Sequence, residues 1–299
     1  MELKSLEQIV DLAVDKGSPR LVVAVANDED VLKAISLAMQ KSLIRPVLIG
    51  NQSEIERLAT ENNINISDAQ IINETDRNKA CIKAVKEISD GRGDILMKGM
   101  VSTGQFVKAI LDKETGLVKG GLLSHIAFFE SAYYHKILGI SDAALNISPT
   151  LDEKVAIVRN AVSVYHKLGI LKPLVAILAP VETVNQKIES TVHAAMLTQM
   201  QKQNQIEGCI LDGPLALDNA VSAEAANHKG LVSEVAGNAD LLVTPDLNCG
   251  NMLYKSLNFL GGAVCAAIVA GATVPVVLTS RADMDKSKFL SIALAVAMA

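Results

Sequence analysis

Along most of the chain, short runs of aliphatic and β-branched residues alternate with stretches in which apolar positions recur every three to four residues. LVVAVA (21–26) gives way to AsnAspGluAsp and a helical period over 31–40, and PVLIG (46–50) precedes a helix opened by Ser53. A helix over 77–87 leads to DILM (94–97) and then to a helix over about 104–111. Strand followed by helix, repeated, predicts right-handed βαβ units and a parallel sheet. Near Gly120 the pattern changes. HIAFFE (125–130) and KILGISDAAL (136–145) leave no room for a crossover helix, which predicts antiparallel pairing and a lobe boundary near residue 140. Alternation then resumes with a helix over 152–168, LVAIL (174–178), a helix over 185–201, CILD (209–212) and LLVTP (241–245). A helix from Asn248, VPVVL (274–278) and a last helix over about 284–298 complete the reading. Two α/β lobes with a cleft between them are expected, and small-molecule sites favour such clefts.

Composition narrows this picture. The 299 residues are 49% apolar but only 3% aromatic, without Trp, so the core must be built from Val, Ile, Leu and Ala. Parallel strands covered on both faces have that composition. No charge occurs from Ser256 to Ser280, a length that raises the question of a membrane span. Gly261, Gly262, Gly271 and Pro275 interrupt it, so a buried helix end, a turn and a strand are expected instead. The net charge of -5, without a basic block, argues against nucleic acid as a partner. Cys81, Cys209, Cys249 and Cys265 are widely spaced, which fits a reduced, cytoplasmic chain better than a disulfide framework or a zinc site. The N-terminal stretch reads as a charged amphipathic helix, not a signal peptide.

Standard nucleotide motifs are missing: the chain has no Gly-Lys dipeptide, no G-x-G-x-x-G and no H-E-x-x-H. Polar clusters stand at strand ends instead. Lys98 to Gly104 (KGMVSTG) follows DILM, where Ser102 or Thr103 can cap a helix whose start, with Lys98 nearby, suits a phosphate. Ser124 and His125 precede an apolar strand, and the histidine is expected to be structural. Asp212 ends a predicted strand before Gly213-Pro214, with Asp218 as the expected cap of the next helix. Asn248 and Cys249 lie in PDLNCGN, where the cysteine is expected to pack rather than react. Ser280 and Arg281 stand side by side after VPVVL, poorly placed for packing and suited to an oxyanion or phosphate.

With these segments in view, the chain resembles the phosphate acyltransferases. The resemblance rests on MKGMVSTGQFVKAIL (97–111), LLSHIAFFE (122–130), SDAALNISP (141–149), PVETVN (180–185), LDGPLALDNAVS (211–222), PDLNCGNMLYK (245–255) and LTSRAD (278–283). The DGPLALD and TSRAD forms look most like the butyryl branch. The resemblance implies a two-lobed, three-layer α/β/α fold similar to that of isocitrate and isopropylmalate dehydrogenases. Residues 1–140, completed by a C-terminal helix over 285–299, would form one lobe and 141–284 the other. It further implies direct transfer of a short acyl group between coenzyme A and phosphate in a ternary complex. Both are substrates; no cofactor and no metal are implied, and a homodimer or a multiple of dimers is expected. By motif, Arg281 would hold phosphate and the acyl oxygen, and Ser280 would contact the thiol or the intermediate. Ser102, Thr103, Lys108 and Ser124 would line the phosphate and acyl site, with Asp212 and Asn248 as further substrate-binding candidates. Lys108 stands where the acetyl enzymes carry an arginine. The aspartate of those enzymes, seven residues after the serine, is here Ser287, which leaves Asp283 as the candidate base, with Asp285 nearby.

Two rival readings lie close by. One is phosphate acetyltransferase. The other is a metal-dependent dehydrogenase of the related two-lobe fold, with Asp212, Asp218 and Asp246 as imagined ligands, although their spacing specifies no metal. A CoA-binding module without catalysis is disfavoured by the intact Ser280-Arg281 pair.

Overall fold

The structure is a computed structural model and describes residues 2–118, 120–279 and 285–299. In chain order, its elements begin with α1 (Glu7–Val14), β1 (Arg20–Ala24), α2 (Glu29–Gln40), β2 (Arg45–Gly50), α3 (Gln52–Glu61) and β3 (Gln70–Asn73). There follow α4 (Arg77–Ser89), β4 (Ile95–Lys98), α5 (Thr103–Ile110), β5 (Ser124–Glu130), β6 (Leu138–Ser141) and α6 (Leu151–Lys167). Next come β7 (Leu174–Leu178), α7 (Glu189–Lys202), β8 (Ile210–Leu215), α8 (Leu217–Val221), α9 (Ala223–His228) and β9 (Leu241–Val243). The chain closes with α10 (Leu247–Lys255), a π-helical turn (Ser256–Leu260), β10 (Val264–Ala270), β11 (Val276–Val277) and α11 (Asp285–Met298).

The contacts divide the chain into two compact units, one made of Glu7–Gly121 with the residues from Ala266 onward, the other of Leu122–Cys265 with the residues up to Leu6. The division thus falls at Gly121 and Cys265 rather than near residue 140. Pairing explains the difference: β5 runs antiparallel to β6, and β6 pairs in parallel with β9, so all three strands share one unit.

In the unit that begins at Glu7, β3, β2, β1, β4 and β11 pair side by side in parallel, and β10 meets β11 antiparallel at Val269 and Val276. Leu21, Val22, Val23 and Ala24 are completely buried, as strands covered on both faces require. Side chains cap the helices: Asp28, Asn51, Asp76 and Ser102 each accept an N–H of the first turn of α2, α3, α4 and α5. Helix α11 is buried from Ser287 to Met298 and packs on α1 and α2. Its polar groups are paired within that core. Ser291 Oγ donates to the Ser287 carbonyl (2.7 Å) and accepts from the Ala267 N–H (2.9 Å), and Lys288 Nζ lies 3.4 Å from Asp30.

In the other unit, β6, β9, β7 and β8 are parallel neighbours and β5 closes one side. Asp240 ties the amino edge of the strands together. Its carboxylate meets Lys136 Nζ at 2.7 Å and accepts the Leu174 N–H, while its carbonyl accepts Gly139 N–H and the buried Tyr165 hydroxyl. Asp142 does the same at the carboxyl edge. One oxygen accepts from the Ala144 and Leu145 N–H groups at 2.7 and 3.0 Å, and the other from His125 N–H and the Asn146 amide. Its main-chain carbonyl accepts from Thr244 Oγ1 at 3.0 Å. A Cβ on Gly250 would sit 2.2 Å from that same carbonyl oxygen, so only glycine lets α10 approach so closely.

Several elements differ from the expectations. The uncharged stretch after Ser256 contains a full strand, β10, where a helix end and turn were expected; alternate burial on both faces makes its Ala and Val residues ambiguous by periodicity. Among the described residues no helix is long and apolar enough to cross a membrane. Strand β8 does not stop at Asp212 but runs through Gly213 and a cis-Pro214 to Leu215. Helix α8 begins at Leu217 with Ala216 in the cap position, so Asp218 lies in the first turn and is no cap. Helix α7 starts at Glu189 rather than 185, and the four-residue β3 was not anticipated.

Replacing Asp142 with alanine leaves three main-chain donors and one amide without their acceptor, which should lower unfolding free energy by at least about 3 kcal/mol in urea melts. Asp142→Asn, which keeps the volume and one acceptor oxygen, should lose clearly less; a negligible loss in Asp142→Ala would remove these hydrogen bonds from the account.

Candidate active site

Parallel strands end their loops on one side, and ligands of open α/β sheets gather outside those carboxyl ends. In the unit that begins at Glu7, that side carries KGMVST after β4. The turn is tight: a Cβ on Gly99 would lie 2.1 Å from the Val25 carbonyl oxygen. Lys98 is buried, and its ammonium donates to the carbonyls of Gly99 (3.2 Å) and Val101 (3.3 Å), so it closes its own turn. Ser102, not Thr103, caps α5, its Oγ accepting Gln105 N–H at 3.2 Å and donating to the Gln105 side chain at 2.7 Å. Ser102 and Thr103 are exposed at the start of the helix, where main-chain N–H groups lack helical partners. Lys108 is exposed too, but in the last turn, at the other end of α5. Val276 and Val277 pair in parallel with Leu96 and Met97, so β11 runs in the same direction as β4. Ser280, Arg281 and Asp283 lie outside the described residues. Of their expected neighbours, Asp285 is exposed at the start of α11, and Ser287 is buried, its carbonyl held by Ser291.

In the other unit, five of the sequence motifs converge on the carboxyl edge. Ser124, buried at the start of β5, accepts from Asn160 Nδ2 at 2.9 Å; the same amide donates to the Leu122 carbonyl at 2.7 Å. Occupying a lone pair in this way leaves the Ser124 hydroxyl hydrogen to act as a donor. His125 is buried, with its ring edge-on to Tyr254 at 5.8 Å, in keeping with a packing role. Asp212 sits inside β8, three residues short of the edge, where its carboxylate accepts Gly213 N–H. Asn248 is exposed in the first turn of α10.

Between the loops that follow β7, β8 and β9 lies a pocket of about 590 Å³. Leu178, Pro180, Leu217 and Leu253 give it apolar walls; Lys154, Glu189, Asp246, Ser148, Ser190 and Thr244 add polar groups. Neither Asp212 nor Asn248 lines it. Lys154 is buried, and its Nζ lies 3.0 Å from His193 Nδ1. Burial pushes this lysine below the usual ammonium range, with Glu189 and Asp246 opposing the shift. Cys249, exposed at the pocket wall, is held above the usual thiol range by desolvation and by Asp246, which disfavours a thiolate nucleophile. Burial raises the Cys81 and Cys209 thiols to about 11. Among the described residues no group of three or more His, Cys, Asp or Glu side chains could hold a metal, so Asp212, Asp218 and Asp246 form no such cluster.

Asp142, Asn160, Lys154 and His193 were not singled out from the sequence. SDAALN and its aspartate were legible as a motif, but a lysine and a histidine 39 residues apart carry no spacing signal. Their pairing depends on α6 and α7 packing together.

The sequence model of the family described as phosphate acetyl/butaryl transferase matches residues 5–82 and 75–296. Phosphate butyryltransferase of Clostridium acetobutylicum is 43% identical over 297 residues, covering 99% of both chains. Phosphate acetyltransferase of Thermotoga maritima is equally similar, 43% over 294 residues, covering 98% of this chain and 99% of that one. Among solved structures, a branched-chain phosphotransacylase from Enterococcus faecalis superposes with a TM-score of 0.82 at 32% identity, covering 94% of this chain and 98% of the other.

The pocket's electrostatics give a pH test. His193 is held below the usual imidazole range by burial first and by Lys154 second, with Glu189 opposing. As pH falls, the unfolded chain therefore takes up that proton first. The stability tied to neutral His193 is present above about 6.5 and lost as pH falls through the folded value. Urea midpoints should drop as pH falls below about 6.5, and His193→Gln should flatten the drop; an unchanged slope would remove His193 from the account.

Proposed function

The chain belongs to the phosphate acetyl/butaryl transferase family, and from that premise we propose that it moves a butyryl or similar short acyl group between coenzyme A and inorganic phosphate. The match over 297 residues to phosphate butyryltransferase of Clostridium acetobutylicum carries this reading. In the forward direction a phosphate oxygen attacks the thioester carbonyl, the C–O bond forms, the C–S bond breaks, and coenzyme A leaves as a thiolate that takes up a proton. Arg281 holds the phosphate and the oxyanion with paired N–H donors, Ser280 contacts the sulfur or the intermediate, and Thr103 contributes its hydroxyl and the helix start its N–H groups to the phosphate, with Ser102 lining that site as the cap of α5. Lys108 adds charge, Asp212 and Asn248 complete the substrate contacts, and Ser124 donates its hydroxyl hydrogen to an acyl or phosphate oxygen. The bond from Asn160 supports that last role by fixing which way the hydroxyl turns.

Asp283 is the base in this reading, since Ser287 is buried in α11 and cannot accept a proton at neutral pH. The elevated Cys249 thiol supports direct transfer over an acyl-enzyme on that residue. The four cysteines, all unpaired, suit a reduced cytoplasm, and the active form is a homodimer or a multiple of dimers.

The equal identity to butyryl and acetyl enzymes makes the acyl chain the open variable. Initial rates of phosphate-dependent thiol release should favour butyryl- over acetyl-CoA by about tenfold or more in kcat/KM, since two buried methylenes are worth roughly 1.6 kcal/mol. Faster acetyl transfer would move the protein to the acetyl branch. Arg281→Ala should lower kcat/KM at least about a hundredfold in a folded protein, with Arg281→Lys restoring part of it. Asp283→Asn separates a base, which predicts a large kcat loss and a changed pH–rate profile, from a helix cap, which predicts near-normal kinetics.

A further inference from the structure

The pocket at the carboxyl edge of β7, β8 and β9 holds a lysine in an unusual setting. Lys154 sits in the first turn of α6 behind the capping box of Thr150 and Glu153, so its main chain is fixed and its side chain is buried in the pocket lining. Its Nζ lies 3.0 Å from His193 Nδ1, and opposite a lysine ammonium that nitrogen acts as acceptor. Apolar walls from Leu178, Pro180, Leu217 and Leu253 leave room for a short acyl chain beside the amine. Lysines that serve as nucleophiles are desolvated and have a base within hydrogen-bond reach.

From this geometry we propose that Lys154 is a self-acylation site, its amine taking a short acyl group from an activated acyl donor, with His193 as the proton acceptor. The inference rests on the acyl-transfer reading above, because that activity supplies the donors: an acyl thioester and an acyl phosphate. The Lys154 nitrogen attacks the donor carbonyl and a C–N bond forms. The C–S bond of the thioester or the C–O bond of the acyl phosphate breaks, and its electron pair leaves with coenzyme A or phosphate. The amine proton passes to His193 Nδ1 and then to solvent. Burial favours the neutral amine that this step needs, while the carboxylates of Glu189 and Asp246 oppose it. The same two carboxylates make the pocket unwelcoming to a phosphate dianion, so the thioester is expected to be the faster donor. The product is a neutral amide whose acyl chain lies against the apolar walls.

The test is peptide mapping by mass spectrometry on the whole protein, after incubation with butyryl-CoA in phosphate-free buffer or, in a second arm, with butyryl phosphate. Lys154 should acquire one butyryl group at least about tenfold faster than the exposed Lys113 and Lys172, and His193→Gln should slow it about tenfold or more. Lys154→Arg should remove the adduct while circular dichroism confirms the fold. Modification of Lys154 no faster than of the exposed lysines overturns the proposal, and an unchanged rate in folded His193→Gln overturns the role of His193. Phosphate-dependent turnover measured on the same sample separates the two readings. Turnover without the adduct sinks this inference alone, and the adduct without turnover sinks the acyl-transfer reading alone.

Discussion

The carboxylate of Asp142 is the constraint on which the carboxyl edge of its unit depends. Four donors converge on it from β5, from the SDAALN turn and from Asn146, and its main-chain carbonyl takes a fifth, from Thr244 at the end of β9. Two strands, a turn and the start of α10 are thereby referred to one residue. Gly250 completes the arrangement, because any larger residue would push α10 off the same carbonyl. Buried donors are costly to leave unpaired, which turns this small cluster into a fixed frame for the loops around it. Asp240 performs the matching task at the opposite edge, so the strands of this unit are pinned at both ends.

What the frame holds in place is a set of oriented polar groups. Ser124 is oriented by Asn160, and Lys154 is held against His193 in a pocket with apolar walls and two carboxylates. In the other unit a comparable economy prevails: Lys98 closes the turn that brings Ser102 to the head of α5, and α11 runs through the core with its few polar groups paired. Preorganised donors of this kind favour developing negative charge without first having to reorient, which is what a thioester under attack by phosphate requires.

Much of this was legible in the sequence because local signals and packing agree. Ser102 was legible as a helix cap, and LVVAVA, LVAIL and LLVTP, short β-branched runs, read as covered strands. The motifs gathered at the two carboxyl edges were recognisable as motifs. Hidden features were those that depend on tertiary contact. Strand β10 looks like a helix end because alanine and valine buried on both sides carry no period, and β8 continues through Gly213-Pro214 where turn chemistry argued for a stop. Asp218 resembles a cap but lies two residues past the cap position, and the Lys154–His193 pair exists only because two helices pack.

The central claim is that phosphate itself receives the acyl group. Phosphorus NMR of the protein with butyryl-CoA and inorganic phosphate tests it most directly. An acyl phosphate resonance should grow in step with the loss of inorganic phosphate and the release of free coenzyme A. Free coenzyme A and butyrate accumulating with no acyl phosphate would make the protein a thioesterase and contradict the account.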